Sequence, residues 1–192
     1  MDDLDHPDID RSGAGHSDTD RSDSVRIRAA GPADVPAFLG ILDSAVAWLV
    51  SRGHTKQWGT EPLSRNPKVV EAIEKYVATG SPWIAEVGGE PAGMLMLTDG
   101  PGSYIPPVAE PEQYVHYLAT DHRFGGLGVG RALLAHAAAE TRRKGISLLR
   151  VDCYAGNEGR LVAYYESNGF VRTESFTAKD GTWPGQVLER RV

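Results

Sequence analysis

Hydrophobic and polar residues alternate over Val25-Arg26-Ile27-Arg28-Ala29, the period-two signature of a strand with one covered face. The period then lengthens. Gly31-Pro32 and Asp34 open a stretch in which Phe38, Leu39, Ile41, Leu42, Ala45 and Leu49 recur at helical spacing, up to Arg52-Gly53. Asn66-Pro67 starts a second helix carrying Val69, Val70, Ile73, Tyr76 and Val77. Trp83 to Val87 and Ala92 to Thr98 flank Gly88-Gly89 and predict a hairpin. A Gly/Pro-rich loop from Asp99 to Pro111 leads into Tyr114 to Thr120, whose aromatic and branched residues suit a strand. Ala132, Leu133, Leu134, Ala137 and Ala138 return to helical spacing and stop at Arg142-Arg143-Lys144-Gly145. Ser147 to Asp152 is a fifth strand. Asn157 starts a helix through Leu161, Val162, Tyr164 and Tyr165 that ends at Asn168-Gly169. Strands from Phe170 to Thr177 and from Gln186 to Arg191 close the chain around a turn at Asp180-Gly181. No internal repeat and no second domain are visible.

Between the fourth strand and its helix lies Gly125-Gly126-Leu127-Gly128-Val129-Gly130-Arg131. A glycine turn entering a helix leaves unpaired backbone N–H groups at the positive end of the helix dipole, and missing Cβ atoms let an anion approach. The stretch therefore reads as a phosphate or pyrophosphate site. A nucleotide P-loop needs Gly-Lys-Ser/Thr, which Gly130-Arg131-Ala132 lacks. A dinucleotide G-x-G-x-x-G is also missing, since Gly126-x-Gly128 is followed by Arg131 and Gly128-x-Gly130 by Leu133. Asp152 does lie about twenty residues on, as that fingerprint expects of its acidic residue. The glycine turn, however, follows the fourth strand rather than opening a doubly wound sheet.

A third reading, coenzyme A, comes from a resemblance. "LATDHRFGGLGVGRALL" resembles the acyl-CoA motif Q/R-x-x-G-x-G/A of the GNAT superfamily of N-acetyltransferases. Two registers fit. Arg123-x-x-Gly126-x-Gly128 matches the letters. Aligning the following helix instead puts Gly128 and Gly130 on the motif glycines, with Gly125 in place of the usual Gln or Arg; this register also matches Leu118-Ala119-Thr120 to the family's L-x-V strand end. Further on, "GNEGRLVAYYESNGF" is similar to the family's N-x-x-A…Y-x-x-x-G-F, with one extra residue between Asn157 and Tyr165. The resemblance implies an α/β (α+β) GNAT fold: a mixed, mostly antiparallel sheet of about seven strands flanked by four helices, over residues 25–192.

Composition narrows the partners. The chain has 192 residues and a net charge of −6. Residues 1–24 hold eight Asp and two Arg, which accounts for all of it and leaves 25–192 neutral. That segment reads as a disordered acidic tail. A neutral body without a basic stripe argues against nucleic acid. No apolar run reaches membrane-spanning length, so no membrane partner is expected. The single Cys153 suits a reducing cytoplasm and an inert, small core residue. His6 and His16 among the aspartates are too scattered for a metal, and none is expected.

Amine acetylation needs a held acyl donor, a neutral amine and a proton for the departing thiolate. An alkylammonium with a pKa of ~10.4 is only about 0.04% neutral at pH 7, so a base or desolvation must help. The resemblance implies acetyl-CoA as donor and direct attack in a ternary complex. It puts the pantetheine arm along Leu118, Ala119 and Thr120, and the pyrophosphate on Gly125, Gly126, Leu127, Gly128, Val129, Gly130 and Arg131. By the same match Tyr165 is the general acid, against a plain core aromatic. His116 is the base candidate on the central strand, sharing parity with Tyr114, Leu118 and Thr120; a structural histidine is as good a reading. Asn157 either caps its helix or also bonds the pantetheine. Tyr114, Trp48 and Trp58, with His54 nearby, are candidates for the acceptor pocket. The acceptor is a small-molecule amine or a peptide, and a homodimer is open. Two rivals stand: a GNAT-like module that binds acyl-CoA without turnover, and a nicotinamide-dependent oxidoreductase.

Overall fold

The computed structural model describes residues 24–178 and 181–192. Residues 1–23 of the acidic tail lie outside the described residues, as does Asp180 of the expected last turn. Seven strands run in chain order: β1 Arg26–Ala29, β2 Ser81–Val87, β3 Glu90–Thr98, β4 Glu112–Thr120, β5 Leu148–Tyr154, β6 Val171–Ala178 and β7 Trp183–Arg191. They form one sheet in the order β1-β2-β3-β4-β5-β7-β6. Every neighbouring pair is antiparallel except β4 with β5. Among the described residues four α-helices flank it: α1 Val35–Ser51, α2 Pro67–Thr79, α3 Val129–Arg143 and α4 Arg160–Glu166. This is the mixed, mostly antiparallel α/β architecture that the sequence predicts.

The helices bury one stripe each. α1 turns Phe38, Ile41, Leu42, Val46 and Leu49 inward, and α2 adds Ile73 and Val77. They meet Ile84, Met94, Met96 and Ala119 of the sheet. On the opposite face Leu133, Leu134, Ala137 and Ala138 of α3 join Val162 and Tyr165 of α4 against Leu95, Leu97, Val115, Val151 and Cys153. Each fully covered aliphatic or aromatic side chain contributes roughly 1.5–3 kcal/mol. The two clusters thus clamp the sheet between helix pairs. Asn66 Oδ1 accepts from the Lys68 N–H at 3.1 Å, fixing the start of α2.

Two expectations change. Pro32–Ser51 is a helical stretch long and apolar enough, by length and composition alone, to cross a membrane; the sequence reading saw none. In the fold its apolar stripe lies on the sheet. Asn157 does not cap α4. Asn157, Glu158 and Gly159 all take positive φ, 54°, 61° and 70°, forming a left-handed turn, and Gly159 stands at the N-cap.

Candidate functional site

The parallel pairing of β4 and β5 sets the geometry. Its rungs run from Glu112↔Leu148 to Val115↔Val151 and stop there. Both strands continue, β4 to Thr120 and β5 to Tyr154. Beyond the last rung they diverge, and the β5-facing backbone of residues 116–120 has no strand partner, while β3 pairs the other side up to Thr120. The opening runs about 13 Å along β4 at ~3.3 Å per residue. A Glu112–Arg150 ion pair (Nη1 to Oε2 3.1 Å), almost wholly buried, locks the closed end.

A β-bulge shapes the same segment. Met96 pairs Tyr117 and Leu97 pairs Val115, so His116 is the extra residue. A bulge shifts side-chain parity by one. Val115 and Leu118 therefore both belong to the α3 cluster, while Tyr117 and Ala119 belong to the α1/α2 cluster. His116 stacks on Tyr76 of α2 with centroids 4.0 Å apart. The shared parity expected for Tyr114, His116, Leu118 and Thr120 is thus broken: Leu118 and Thr120 face α3, His116 faces α2.

The gap is a cavity of about 510 Å³. His116, Leu118, Ala119, Thr120, Gly130, Asp152, Cys153, Tyr164 and Tyr165 line it, with Trp58, Tyr104 and Trp183 around its edge. An adjoining cavity of similar size shares Trp58, Thr120, Leu161 and Tyr164, and extends to Trp48, Arg52, His54, His122, Gly125, Asn157 and Arg160. Cations therefore gather at the glycine end, and a carboxylate stands near the last rung.

At the glycine end Gly128 is the N-cap of α3 with φ 74°, and no side chain caps the helix. The first α-helical bond there is Ala132 N–H to Gly128 O, 2.9 Å. The N–H groups of Val129, Gly130 and Arg131 precede it and remain available for an anion. A Cβ on Gly128 meets nothing within 4 Å, whereas one on Gly130 meets the Tyr164 hydroxyl. Gly128 is required by its backbone and Gly130 by its neighbour. Arg123, the alternative motif residue, is tied to Asp121 (Nη2 to Oδ2 2.9 Å) and Glu90. Leu127 is exposed and Val129 buried.

Tyr165 reaches the gap from the α4 side. It is nearly fully buried, packs edge-on to Phe170 (5.6 Å), and its hydroxyl makes no hydrogen bond among the described residues. Burial raises its pKa, with the neighbouring Cys153 adding to the effect, so the phenol keeps its proton. Burial lowers the His116 pKa and favours neutral imidazole; its Nδ1 is buried without a partner among the described residues. Burial pushes the Cys153 thiol up to about 12.

The opposite wall joins residues that the sequence reading keeps apart or leaves out. Asp152 is weighed there only as a dinucleotide acid, Tyr114 only as an acceptor contact, and Tyr104 and Trp183 are not singled out. Asp152 Oδ1 accepts from Tyr114 Oη (2.8 Å) and Tyr104 Oη (3.1 Å). Burial raises the Asp152 pKa from its ordinary value, while the two phenols and its own backbone N–H pull it down. Tyr104, Phe176, Trp183 and Tyr154 form a chain of rings with centroids 5.3–6.1 Å apart. Trp183 Nε1 donates to Gln57 O at 3.0 Å, tying the loop after α1 to β7. A signal was present: Arg150 and Asp152 are charges inside the otherwise apolar Leu148–Tyr154. Tyr114 itself does not line the cavity but lies buried behind Asp152, and Trp48 stands at the glycine end rather than near Asp152.

Comparison with known proteins adds the family. The model of the Acetyltransferase (GNAT) family matches residues 44–170. A probable N-acetyltransferase of Mycobacterium tuberculosis is 31% identical over 137 residues, 61% of this chain and 68% of that protein. A GNAT-family acetyltransferase structure from Listeria monocytogenes shares the fold with a TM-score of 0.68 at 21% identity, covering 88% of this chain and 95% of that one. PaiA N-acetyltransferase from Thermoplasma acidophilum, solved in complex with coenzyme A, has a TM-score of 0.66 at 15% identity, covering 88% and 99%. With two-thirds of its length under the family model, this chain belongs to the GNAT family of acetyltransferases.

Proposed function

We propose that the protein transfers the acetyl group of acetyl-CoA to a primary amine by direct attack with both substrates bound. The observation that carries this reading is the ladder that ends at Val115↔Val151. It leaves an open strand edge leading from an uncapped helix N-terminus toward a protonated tyrosine. Free peptide groups of β4 beyond His116 can bond the amides of a pantetheine arm as a missing strand would. The N–H groups of residues 129–131 and nearby Arg131 suit its pyrophosphate. The coenzyme A in the Thermoplasma relative supports the same ligand for this fold.

The donor supplies an activated acyl group as a thioester; the chain supplies position and protons. The amine nitrogen forms its bond to the acyl carbon as the C–S bond breaks. Tyr165 gives the departing sulfur its proton, and neutral His116 takes one from the amine, directly or through water. Positioned acids and bases each contribute about 10²- to 10⁴-fold. Calorimetry with acetyl-CoA and NADPH, followed by thiol release with a panel of amines, tests the proposal. Acetyl-CoA binding with amine-dependent thiol release is expected. Binding without release under every amine would make the protein an acyl-CoA-binding module, and preference for NADPH would overturn the reading.

A further inference from the structure

We infer that the end of the gap nearest the last β4–β5 rung is an ammonium site built on Asp152, and that its ligand is a compact monoamine with an apolar or aromatic body and no carboxylate. Calling that ligand the acceptor rests on the transfer reaction proposed above; the binding site itself does not.

Asp152 and His116 are the first residues beyond Val115↔Val151, one on each strand. Among the described residues that line this cavity, Asp152 is the only carboxylic acid, and no lysine or arginine joins it. It makes no ion pair among the described residues. The nearby guanidinium of Arg150 is already committed to Glu112 and to Pro106 O. Tyr104 and Tyr114 both donate to Oδ1, which leaves Oδ2 with no side-chain donor among the described residues. A half-buried carboxylate in a cavity wall, held on one oxygen by two phenols and touched otherwise by its own backbone N–H, with no cation beside it among the described residues, is completed by a cation from outside.

The walls say which cation. Tyr104, Tyr117, Trp58, Trp183, Tyr154 and Tyr165 surround the space, offering ring faces to an ammonium and flat apolar area to the body behind it. Among the described residues, no lysine or arginine lines this cavity. A carboxylate on the ligand would find no partner and would face Asp152 with like charge. Tyr104, on the exposed Gly/Pro-rich loop, forms the outer rim, and its phenol holds Asp152 from the solvent side.

The probe pair is 2-phenylethylamine and phenylalanine, which share an amine and a ring and differ by a carboxylate. Each is titrated into the full chain with saturating coenzyme A, reading tryptophan fluorescence and heat. The wild type should bind the amine at least 100-fold tighter than the amino acid. Asp152→Asn keeps an oxygen for both phenols and removes only the charge. It should weaken amine binding at least 30-fold and abolish the discrimination, with coenzyme A affinity within about twofold. Tyr104→Phe, at a more exposed position, should weaken the amine about three- to tenfold and serves if the Asn variant does not fold. Equal binding of the two probes by the wild type, or unchanged amine affinity in Asp152→Asn, overturns the inference. Thiol release separates the two claims. Asp152-dependent binding without thiol release from any amine of the panel leaves the ammonium site standing and removes the transferase. Release that is unchanged in Asp152→Asn leaves the transferase standing and overturns the claim that the Asp152 ligand is the acceptor.

Discussion

Tyr114 donates its phenol to Asp152 Oδ1 at 2.8 Å, and the same ring lies 5.9 Å from the Arg150 guanidinium. Glu112, Arg150, Tyr114 and Asp152 thus form one column across β4 and β5, running from a closed ion pair to an open cavity. The column turns a rigid sheet interior into a fixed orientation for the carboxylate.

Removing the phenol tests that column. Tyr114→Phe keeps the ring in its fully buried slot and leaves the exposed Tyr104 as the only side-chain donor to Asp152 among the described residues. A hydrogen bond to a charged group is worth about 1.5–3 kcal/mol. Urea denaturation should show a loss near the lower end of that range, because the donor leaves no unpaired group behind. A variant as stable as wild type would mean that the bond contributes nothing to the fold.

Gly130 and Tyr164 form a second testable pair. A Cβ at residue 130 collides with the Tyr164 hydroxyl but stays 3.4 Å from the ring carbon that bears it. Gly130→Ala should therefore raise the acetyl-CoA dissociation constant about tenfold, or ~1.4 kcal/mol. Adding Tyr164→Phe should recover most of it. If the double variant is as weak as the single one, the crowding lies elsewhere.

The pH dependence follows from the burial of His116 against Tyr76 and Tyr117. Burial penalises imidazolium and moves the pKa below the ordinary histidine value of about 6.5. The proton-accepting form therefore persists into mildly acidic solution, and the rate should fall only below that value. His116→Ala should be slow near neutrality and recover partly at high pH, where the amine is already neutral. A profile parallel to wild type would leave the histidine structural.

Cys153 lines the gap, yet its thiol is buried and pushed up to about 12. It is not a nucleophile at neutral pH. Cys153→Ala should keep turnover within about twofold, and initial-rate plots should intersect, as direct transfer requires. Parallel lines with a dead alanine variant would point to an acyl-cysteine.

The element order was readable because each stripe of apolar residues keeps one period over several turns or rungs. The glycine turn was readable because few backbones need four glycines in six positions. What escaped the sequence came from long-range pairing. The bulge at His116 depends on β3 register, and no local pattern announces it. The divergence of β4 and β5 depends on where a parallel ladder stops. Trp183 reaches Gln57 across most of the chain. Asn157 looked like a helix cap, but Gly159 two residues later offers a left-handed backbone at lower cost, and the helix starts after it.

Tyr165→Phe examines the transfer chemistry most directly, since it removes one oxygen and leaves the packing against Phe170. Turnover measured by thiol release and acetyl-CoA affinity measured by calorimetry are read on the same preparation. The account predicts a fall in turnover of roughly 10²- to 10⁴-fold with the dissociation constant for acetyl-CoA unchanged. Full turnover in the phenylalanine variant would contradict it.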